Sequence, residues 1–487
     1  MSNTQPNVII LYADDLGFGD LSCYGANDIP TPNLDQLAEE GLKFDQAYAT
    51  AATCTPSRYS LLTGSYPWRN PDAAVLPGDA AQIITSDDAT LANLFQEHGY
   101  ATGIVGKWHL GLGNGELDFN QEIQGTPNDV GFDHSFIMAA TNDRVPCVYI
   151  HNRQVANLDP KDPIEVTYDW AKAFPDVPNG RQNPELLDVM YDHGHDGTII
   201  NGISRIGHMR GGKSALWNDE TMGEVFADKA ISFIEQHQQQ PFFLYYALHQ
   251  PHVPRIPNPK FRGVTPHGVR GDVIVEMDWC IGKVLKKIDE LGLKDNTLVI
   301  FSSDNGPVLN DGYKDQAIEL NGQHRMSGPL RGGKYSLFEG GTRVPFIVRW
   351  PQQVASGQSS ALFNQVDLYH SFAQLLNRPL TQTEAPDSQP LLDTLLGRDF
   401  VGRNDMVLEG MQYKKVFRNQ HYAYIPAHDD DFICQYTGNE KGNQSSPQLY
   451  DLKDDVGQLI NLAEQMPEKV EELELALQKV IKQARTR

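Results

Sequence analysis

The sequence predicts an α/β fold: a large mixed β-sheet sandwiched between helices, followed by a smaller C-terminal domain of antiparallel strands and a helix. Three apolar runs predict buried strands, namely NVIILYA (7–13), PFFLYYALH (241–249) and NTLVIFSSDNG (296–306). Amphipathic segments alternate with such runs, which is typical of α/β proteins. Polar residues follow each run, and ligands collect at the carboxyl ends of strands in open α/β sheets. We therefore expect these polar residues to form one site.

Further elements follow from local signals. Pro56 suits the first turn of a helix, and Gly64 can end that helix. Residues 101–105 predict a short strand, and FIVRW (346–350) predicts another. Apolar residues between 277 and 288 recur at helical spacing, so this helix faces the core.

The chain is predicted to form two domains. Between Pro351 and about Arg403 it becomes rich in Pro, Gln and Ser around one helical stretch at 366–376, which indicates a boundary. We assign residues 1–380 to an α/β domain. Residues 381–487 contain the short runs MVLEG, KKVFRN, HYAYIP and QLYDL before a helix from Pro467, so they predict an antiparallel sheet with a covering helix.

Composition excludes several classes of partner. The 487 residues carry a formal net charge of −23, which opposes binding to nucleic acid, to an anionic membrane or to a long polyanion. No apolar run approaches the roughly 18 residues that span a bilayer. The start MSNTQPNVII is unlike a signal peptide, so we expect a cytoplasmic protein, or a periplasmic or secreted one whose leader was removed. Five scattered cysteines predict no disulfide framework.

One cysteine stands out in the stretch AATCTPSRYSLLTG (51–64). Cys54 is placed at a helix N-terminus, where the dipole and the free N–H groups favour negative charge. Arg58 follows one turn later on a similar side of the helix. Two interpretations remain open from these residues alone: a reactive thiolate, or a packed cysteine beside a capping loop.

Four motifs in order carry a family resemblance. They are DDLGFGD (14–20), CTPSR with LLTG (54–58 and 61–64), GY with GKWHLG (99–100 and 106–111) and SDNG (303–306). Together they resemble the signatures of type I, formylglycine-dependent sulfatases of the alkaline-phosphatase-like superfamily. The resemblance runs from about Asn7 to Trp350 and continues weakly at QLYDL (448–452). The stretch RGGKYSLFEGGTRVPFIVRWP (331–351) is similar to bacterial carbohydrate sulfatases.

The resemblance implies a modified nucleophile. In that family a separate formylglycine-generating enzyme oxidises the matching cysteine to an aldehyde, which is hydrated at rest. One hydroxyl of the hydrate attacks sulfur and expels the alcohol, and the other then reforms the aldehyde and ejects sulfate. This divides one difficult step into two easier ones. Cys54 is therefore expected to become formylglycine.

A metal site is predicted from carboxylates. Asp14, Asp15 and Asp304 offer carboxylates and Asn305 offers an amide oxygen. Taken alone, the Asp pair also fits a solvated turn after a strand. Gathered at strand ends, these oxygens suit a hard divalent ion, and a crowded site of this kind favours Ca²⁺ over Mg²⁺. The resemblance implies that these residues and the modified Cys54 bind Ca²⁺.

Fixed cations and histidines complete the predicted catalytic set. Cations stabilise the negative charge that grows on a sulfate ester during cleavage. By resemblance, Arg58 and Lys107 hold the formylglycine hydroxyls and His109 is the base. His249 and Lys334 face the sulfate and the leaving oxygen, and either of them can protonate the departing alcohol. Individually such lysines are more often surface residues, and such histidines structural ones.

Substrate contacts are predicted in the loop-rich stretch 140–212. Side chains that make directional hydrogen bonds suit sugar hydroxyls, and the candidates are Asn142, Asp143, Arg144, His193, His195 and Asp196. A loop that satisfies its own backbone is the alternative. His252, in HQPHVP, is either a substrate contact or a loop residue held between prolines. We expect an exo-acting enzyme on galactose or N-acetylgalactosamine sulfate, with 6-O-sulfate preferred.

Two rival functions remain. The first is a phosphatase or phosphonate monoester hydrolase of the same superfamily. Two-metal phosphatases of that group pair Asp with His at the second metal, whereas here Asn305 follows Asp304 and cationic side chains take that place. The second rival is a non-catalytic glycan-binding protein in which Cys54 stays unmodified.

Overall fold

The computed structural model describes residues 5–115 and 117–487. Residues 1–4, on which the expectation about a leader partly rests, lie outside the described residues. The strands are β1 (Asn7–Ala13), β2 (Leu42–Phe44), β3 (Ala47–Tyr48), β4 (Ala101–Lys107), β5 (His134–Met138), β6 (Ile150–His151), β7 (Gln154–Val155), β8 (Glu165–Thr167), β9 (Ile199–Ile200), β10 (Ile203–Ser204), β11 (His208–Arg210), β12 (Phe242–Ala247), β13 (Thr297–Ser303), β14 (Phe346–Arg349), β15 (Gly357–Ser359), β16 (Phe363–Asn364), β17 (Asp405–Glu409), β18 (Lys415–Asn419), β19 (Tyr422–Ile425) and β20 (Gln448–Asp451).

The described residues also form ten α-helices. They are α1 (Pro32–Glu40), α2 (Cys54–Thr63), α3 (Leu91–Gln96), α4 (Met222–His237), α5 (Gly268–Glu290), α6 (Ala317–Leu320), α7 (Glu339–Thr342), α8 (Leu368–Leu375), α9 (Leu392–Leu395) and α10 (Pro467–Lys482). No helix of the described residues is both long enough and apolar enough to cross a membrane.

A ten-stranded mixed sheet organises the chain, in the order β15-β2-β14-β13-β1-β12-β4-β5-β6-β7. Its five central strands, from β13 to β5, run parallel to one another. Antiparallel pairings start on either side of them, at β14 and at β6. The central strands are buried along almost their whole length, as expected for parallel strands covered on both faces.

Helices cover both faces of this sheet. Successive strand residues point to opposite faces. On β12, the Phe243 ring stacks on Phe95 of α3 with centroids 4.5 Å apart. The next residue, Leu244, pairs with Gly103 of β4, and a Cβ on Gly103 would lie 2.6 Å from the Phe233 ring of α4. Thus α3 and α4 pack on opposite sides.

The parallel centre brings five strand ends to one edge. In spatial order, β13 leads to Asp304, β1 to Asp14, β12 to His249, β4 ends in Lys107, and β5 leads into residues 139–144. Gly106 has a φ of 110° and its absent Cβ would stand 1.9 Å from the carbonyl oxygen of Ala247. This close approach, which only glycine permits, turns β4 toward the site.

A separate antiparallel sheet, β17-β18-β19-β20, forms near the C-terminus. One face packs against α10 through an apolar cluster that includes Val407, Phe417, Leu473 and Leu477. The other face packs against the segment around Phe338, four residues after Lys334. The predicted α/β class with a small C-terminal antiparallel sheet and helix is confirmed, while the exact boundary at residue 380 stays a prediction.

Candidate active site

Cys54 is the first residue of α2, and the helix ends at Gly64, whose φ of 67° is the left-handed conformation expected of a glycine cap. The thiol is buried, and its Sγ lies 3.3 Å from Nδ1 of His109. Burial raises the pKa of the Cys54 thiol, although Lys107 and Lys334 oppose that shift. A reactive thiolate is therefore disfavoured, and the setting fits a cysteine that acts only after modification.

Asp14 follows β1 and is completely buried beside cations. Lys107 Nζ donates to both carboxylate oxygens of Asp14 at 2.7 Å, and Arg58 Nη2 lies 3.6 Å away. Burial raises the pKa of Asp14 well above its ordinary value, with Asp304 and Asp15 adding to the shift and Lys107 and Arg58 opposing it. The carboxylates thus repel one another at close quarters.

Asp15 forms an ion pair with Lys334. Lys334 Nζ donates to Asp15 Oδ2 at 2.8 Å and to Asp311 Oδ2 at 2.7 Å. Burial opposes ionisation of Asp15, but Lys334 and Lys107 outweigh it, so the pKa of Asp15 is lowered. The φ of Asp15 is 63°, a conformation that L-residues adopt rarely and that clusters at functional sites.

Asp304 pairs with Arg58. The guanidinium donates to Asp304 Oδ2 from Nε at 3.0 Å and from Nη2 at 2.8 Å, and the Asp15 amide donates to Asp304 Oδ1 at 3.2 Å. Arg58 also donates to the Tyr245 hydroxyl at 3.3 Å. Arg58 therefore fixes the end of β13 relative to α2.

The residues present fit a hard cation. Asn305 donates from Nδ2 to Asp15 Oδ1 at 2.8 Å, while its Oδ1 is buried without a hydrogen-bond partner among the described residues. Atoms of Asp14, Asp15 and His252 that can bind a metal lie within 4.8 Å of one another. Carboxylate and amide oxygens are the ligands that hard divalent ions prefer. This buried cluster can hold one metal ion.

His109 is held from several directions. Its Nε2 lies 2.8 Å from the carbonyl oxygen of Leu76, and its own carbonyl accepts from Thr55 Oγ1 at 2.9 Å. Burial, Lys107 and Arg144 lower the pKa of His109 well below its ordinary value. A neutral imidazole beside Cys54 can accept a proton, as the predicted base requires.

Two further predicted residues sit at the same edge. His249 follows β12, and the residue is 8% exposed. Burial, with a smaller effect from Lys107, lowers the pKa of His249 to about 3. His252 is held by its own segment through Nδ1, 2.7 Å from the Val253 carbonyl, while its Nε2 lies 3.8 Å from Asp15 Oδ2. His252 thus borders the acidic cluster.

The stretch 140–212 contributes a polar group in which Asp143 and His195 are buried and Arg144 is partly buried. Arg144 Nη1 donates to Asp143 Oδ1 at 2.8 Å, and His195 Nε2 lies 2.9 Å from Asp143 Oδ2. Burial opposes ionisation of Asp143, yet Arg144 and His195 hold the pKa of this carboxyl well below its ordinary value. Asn142, also buried, donates to the Pro254 carbonyl at 3.1 Å.

The other two loop candidates lie further out. His193 is partly exposed, contacts Asp192 at 3.1 Å and packs its ring 5.1 Å from that of Tyr436. Asp196 accepts from Arg181 Nε at 2.7 Å instead of facing Cys54. No contact in the described part of the chain joins either residue directly to the acidic cluster.

Sequence reasoning missed Asp311, the second carboxylate on Lys334. It lies in the loop segment LNDG (309–312), where an Asp-Gly pair is read most simply as a turn. Gly312 has a φ of 111°, and a Cβ there would stand 1.9 Å from the His195 ring. The turn therefore connects Lys334 to the Asp143–His195 pair. No local sequence pattern predicts this connection.

The geometry of the site by itself indicates a class of enzyme. Oxygen ligands for one hard cation and three buried cationic side chains surround a cysteine and a histidine, which is the arrangement of a hydrolase for anionic esters. The family profile described as Sulfatase matches residues 6–378. An N-acetylgalactosamine-6-O-sulfatase from Bacteroides thetaiotaomicron is 49% identical over 480 residues, covering 98% of this chain and 94% of that protein.

A more distant relative is also named as a sulfatase. Human arylsulfatase A is 31% identical over 471 residues, which is 94% of this chain and 83% of that protein. A solved structure, described under the metabolism of multiple glycosaminoglycans by Bacteroides thetaiotaomicron, superposes with a TM-score of 0.97 at 49% identity, covering 99% of this chain and all of the other. The chain belongs to the sulfatase family of the alkaline-phosphatase-like superfamily, and it is a sulfuric ester hydrolase.

Proposed function

We propose that this enzyme removes 6-O-sulfate from galactose-type sugars, N-acetylgalactosamine above all, at the end of a glycan. The observation that carries the proposal is the Arg144–Asp143–His195 group, in which Asp143 and His195 are buried and His195 packs against the turn that follows Asp311, the carboxylate paired with Lys334. Its donors and acceptors are fixed by one another, so a sugar hydroxyl would meet a preorganised partner at low ordering cost. The close relative acts, by its name, on N-acetylgalactosamine 6-sulfate.

Exo action follows from charge and burial. The −23 net charge repels a long sulfated polymer, whereas the site concentrates Arg58, Lys107 and Lys334 in one place. A single sulfated residue at a chain end can enter such a site without laying more anionic groups along the acidic surface. Asn142 and His252, and further out His193 and Asp196, complete the proposed sugar-binding set.

The proposed cofactors are Ca²⁺ and formylglycine at position 54. Asp14, Asp15, Asp304, Asn305 and the modified Cys54 would hold the ion, and formylglycine requires the formylglycine-generating enzyme as a maturation partner. When bound, the two supply a hydroxyl nucleophile and a positive charge that offsets the charge of the sulfate.

The chain's own residues supply orientation and proton transfer. Lys107 and Arg58 are proposed to orient the group at position 54, toward which Lys107 directs a buried positive charge. His109, neutral and 3.3 Å from Cys54 Sγ, accepts a proton from that group. Lys334 faces the sulfate, and His249 protonates the leaving sugar oxygen. Each of these roles is a proposal for the named residue.

The test is a screen of sulfated mono- and disaccharides for released sulfate, using enzyme matured with the formylglycine-generating enzyme. We expect 6-sulfated N-acetylgalactosamine and galactose to be preferred over 4-sulfated and glucose-type analogues. Release from internal positions of a polymer would contradict exo action. Turnover of nitrophenyl phosphate far above nitrophenyl sulfate would favour the phosphatase rival, and an intact Cys54 thiol with no turnover would favour the binding-protein rival.

A further inference from the structure

A small cavity borders His249 behind the acidic cluster. Its volume is about 10 Å³, roughly what one water molecule needs. Residues from several segments meet there, among them Asn142, Gln250 and Glu276, together with the side chains of Asp219, His252 and Arg255. The cavity is thus polar and enclosed.

Three atoms around this cavity are buried without a hydrogen-bond partner among the described residues. They are Nδ1 of His249, Nε2 of Gln250 and Oδ1 of Asn142. An unsatisfied buried polar atom destabilises a folded protein. One water with two to four polar neighbours is the usual solution in a protein interior. The cavity has both the room and the partners for such a water.

Glu276 of α5 closes the other side. It is 3% exposed, and its Oε2 accepts from the Asn258 amide at 3.0 Å. A Cβ on Gly223 would stand 3.0 Å from Glu276 Oε1 and 2.5 Å from Gln250 Nε2, so these two atoms converge on one small space. Burial raises the pKa of Glu276 to about 7, with the Asn258 amide and Lys260 opposing the shift and Glu224 adding to it. The carboxyl can therefore carry a proton near neutral pH.

To act as an acid, His249 needs a group that supplies a proton to Nδ1. Its low pKa makes the imidazole neutral at pH 7. A neutral imidazole releases the proton on Nε2 readily only when Nδ1 gains one at the same time. Since Nδ1 is the completely buried nitrogen, the 8% exposure of the residue belongs to its other atoms. Nδ1 faces the interior, where the cavity lies.

We propose that Glu276 is a proton-relay residue that acts on His249 through one water in this cavity. When the S–O ester bond breaks, the sugar oxygen keeps the bonding electrons and takes the proton from Nε2. Nδ1 takes a proton from the water, and the water takes one from the Glu276 carboxyl. The imidazole stays neutral but ends with its proton on Nδ1. Before the next turnover Nε2 takes a proton from solvent, while Nδ1 returns its proton through the water to the Glu276 carboxylate. The inference rests on the proposed role of His249 as the acid for the leaving group.

The experiment compares leaving groups in Glu276→Gln. Sugar alkoxides need a proton, whereas nitrophenolate leaves without one. We expect kcat/KM to fall about 10- to 100-fold on the sulfated sugar and less than about 3-fold on nitrophenyl sulfate. Glu224→Gln is the matched control, because Glu224 is a carboxylate on the neighbouring helix that contributes to the same field but does not line the cavity. This control should leave both rates unchanged.

Several outcomes would overturn the relay. An equal loss on both substrates indicates a structural role, and no loss on either refutes the proposal. His249→Ala combined with Glu276→Gln should be no slower on the sugar than His249→Ala alone, and additive losses would contradict a shared path. If Glu276→Gln does not fold, Gly223→Ala replaces it, because the added Cβ intrudes between Gln250 and Glu276 and should produce the same split between substrates.

The design separates this inference from the substrate proposal. A wild-type enzyme that cleaves aryl sulfates but no sulfated sugar refutes the proposed substrate and leaves the relay open to direct measurement. Aryl sulfates of increasing leaving-group pKa then serve as probes. Glu276→Gln should steepen the dependence of kcat/KM on leaving-group pKa, and an unchanged slope would refute the relay on its own.

Discussion

Replacing Lys334 with Met removes the cation shared by Asp15 and Asp311. Its Nζ lies 2.8 Å and 2.7 Å from their carboxylate oxygens, and the lysine is 2% exposed. Removing one partner of a buried ion pair leaves an uncompensated charge and destabilises a protein by about 3–5 kcal/mol. The loss of a preorganised charge facing the reacting group lowers kcat by about 10²- to 10³-fold. We expect both effects in Lys334→Met.

A second substitution separates the effect on stability from the effect on activity. In Lys334→Met with Asp311→Asn, one of the two stranded carboxylates is neutral, so we expect stability to recover by about 0.5–3 kcal/mol, the usual coupling of contacting residues. Activity should stay low, because Lys334 is proposed to face the substrate and its charge is still missing. The measurements are urea unfolding and kcat/KM on a sulfated sugar, with Asp311→Asn alone as the control.

Two results would refute the reasoning. If Lys334→Met is as stable as the wild type, the contacts with Asp15 and Asp311 do not compensate the buried charges. If Asp311→Asn restores activity along with stability, Lys334 acts only by holding the loop and not by facing the substrate.

Three further predictions concern other parts of the site. Cys54→Ala should abolish sulfate release while circular dichroism stays unchanged, and a normally active variant would exclude Cys54 as the nucleophile precursor. Asp304→Ala should lose both calcium binding in calorimetry and activity; unchanged binding would contradict the ligand set. Asp20 is buried, but Arg270 and His324 overcome the burial and lower its pKa to about 2. The corresponding stability, on the order of 2–3 kcal/mol, is present above pH 4 and lost as pH falls toward 2. Asp20→Asn should remove that part of the pH dependence of unfolding, and an unchanged profile would count against the pairing.

The sequence could predict the fold because its central elements carry strong local signals. The run NVIILYA coincides with β1, and the predicted strands at 241–249 and 296–306 contain β12 and β13. All are apolar runs that end in polar residues, so their parallel pairing brings those residues together without further information. The short strands β8 to β11 have no comparable signal, because two- or three-residue pairings depend on loops that pack from elsewhere.

The residues of the candidate site likewise fall into those that local sequence signals predict and those that they do not. Residues at strand ends, such as Asp14 and Lys107, follow from register alone. Asp143 and His195 are 52 positions apart and meet only because the loops between them fold back. Sequence could nominate both as polar loop residues but could not distinguish them from Asp196, which pairs with Arg181 instead. Long-range loop packing, not residue type, separates them.

The charge balance of the centre explains why an acidic protein can bind an anion. Near Cys54, the carboxylates of Asp14, Asp15, Asp304, Asp311 and Asp143 face the cations Arg58, Lys107, Lys334 and Arg144. With every group ionised, this set carries one more negative than positive charge and would repel sulfate. A divalent ion on the oxygen ligands reverses the sign. We therefore expect the proposed ion to be needed for substrate binding, so chelation should weaken the binding of a sulfated sugar to the unreactive Cys54→Ala variant. Equal affinity with and without chelator would show that the side chains alone attract the anion.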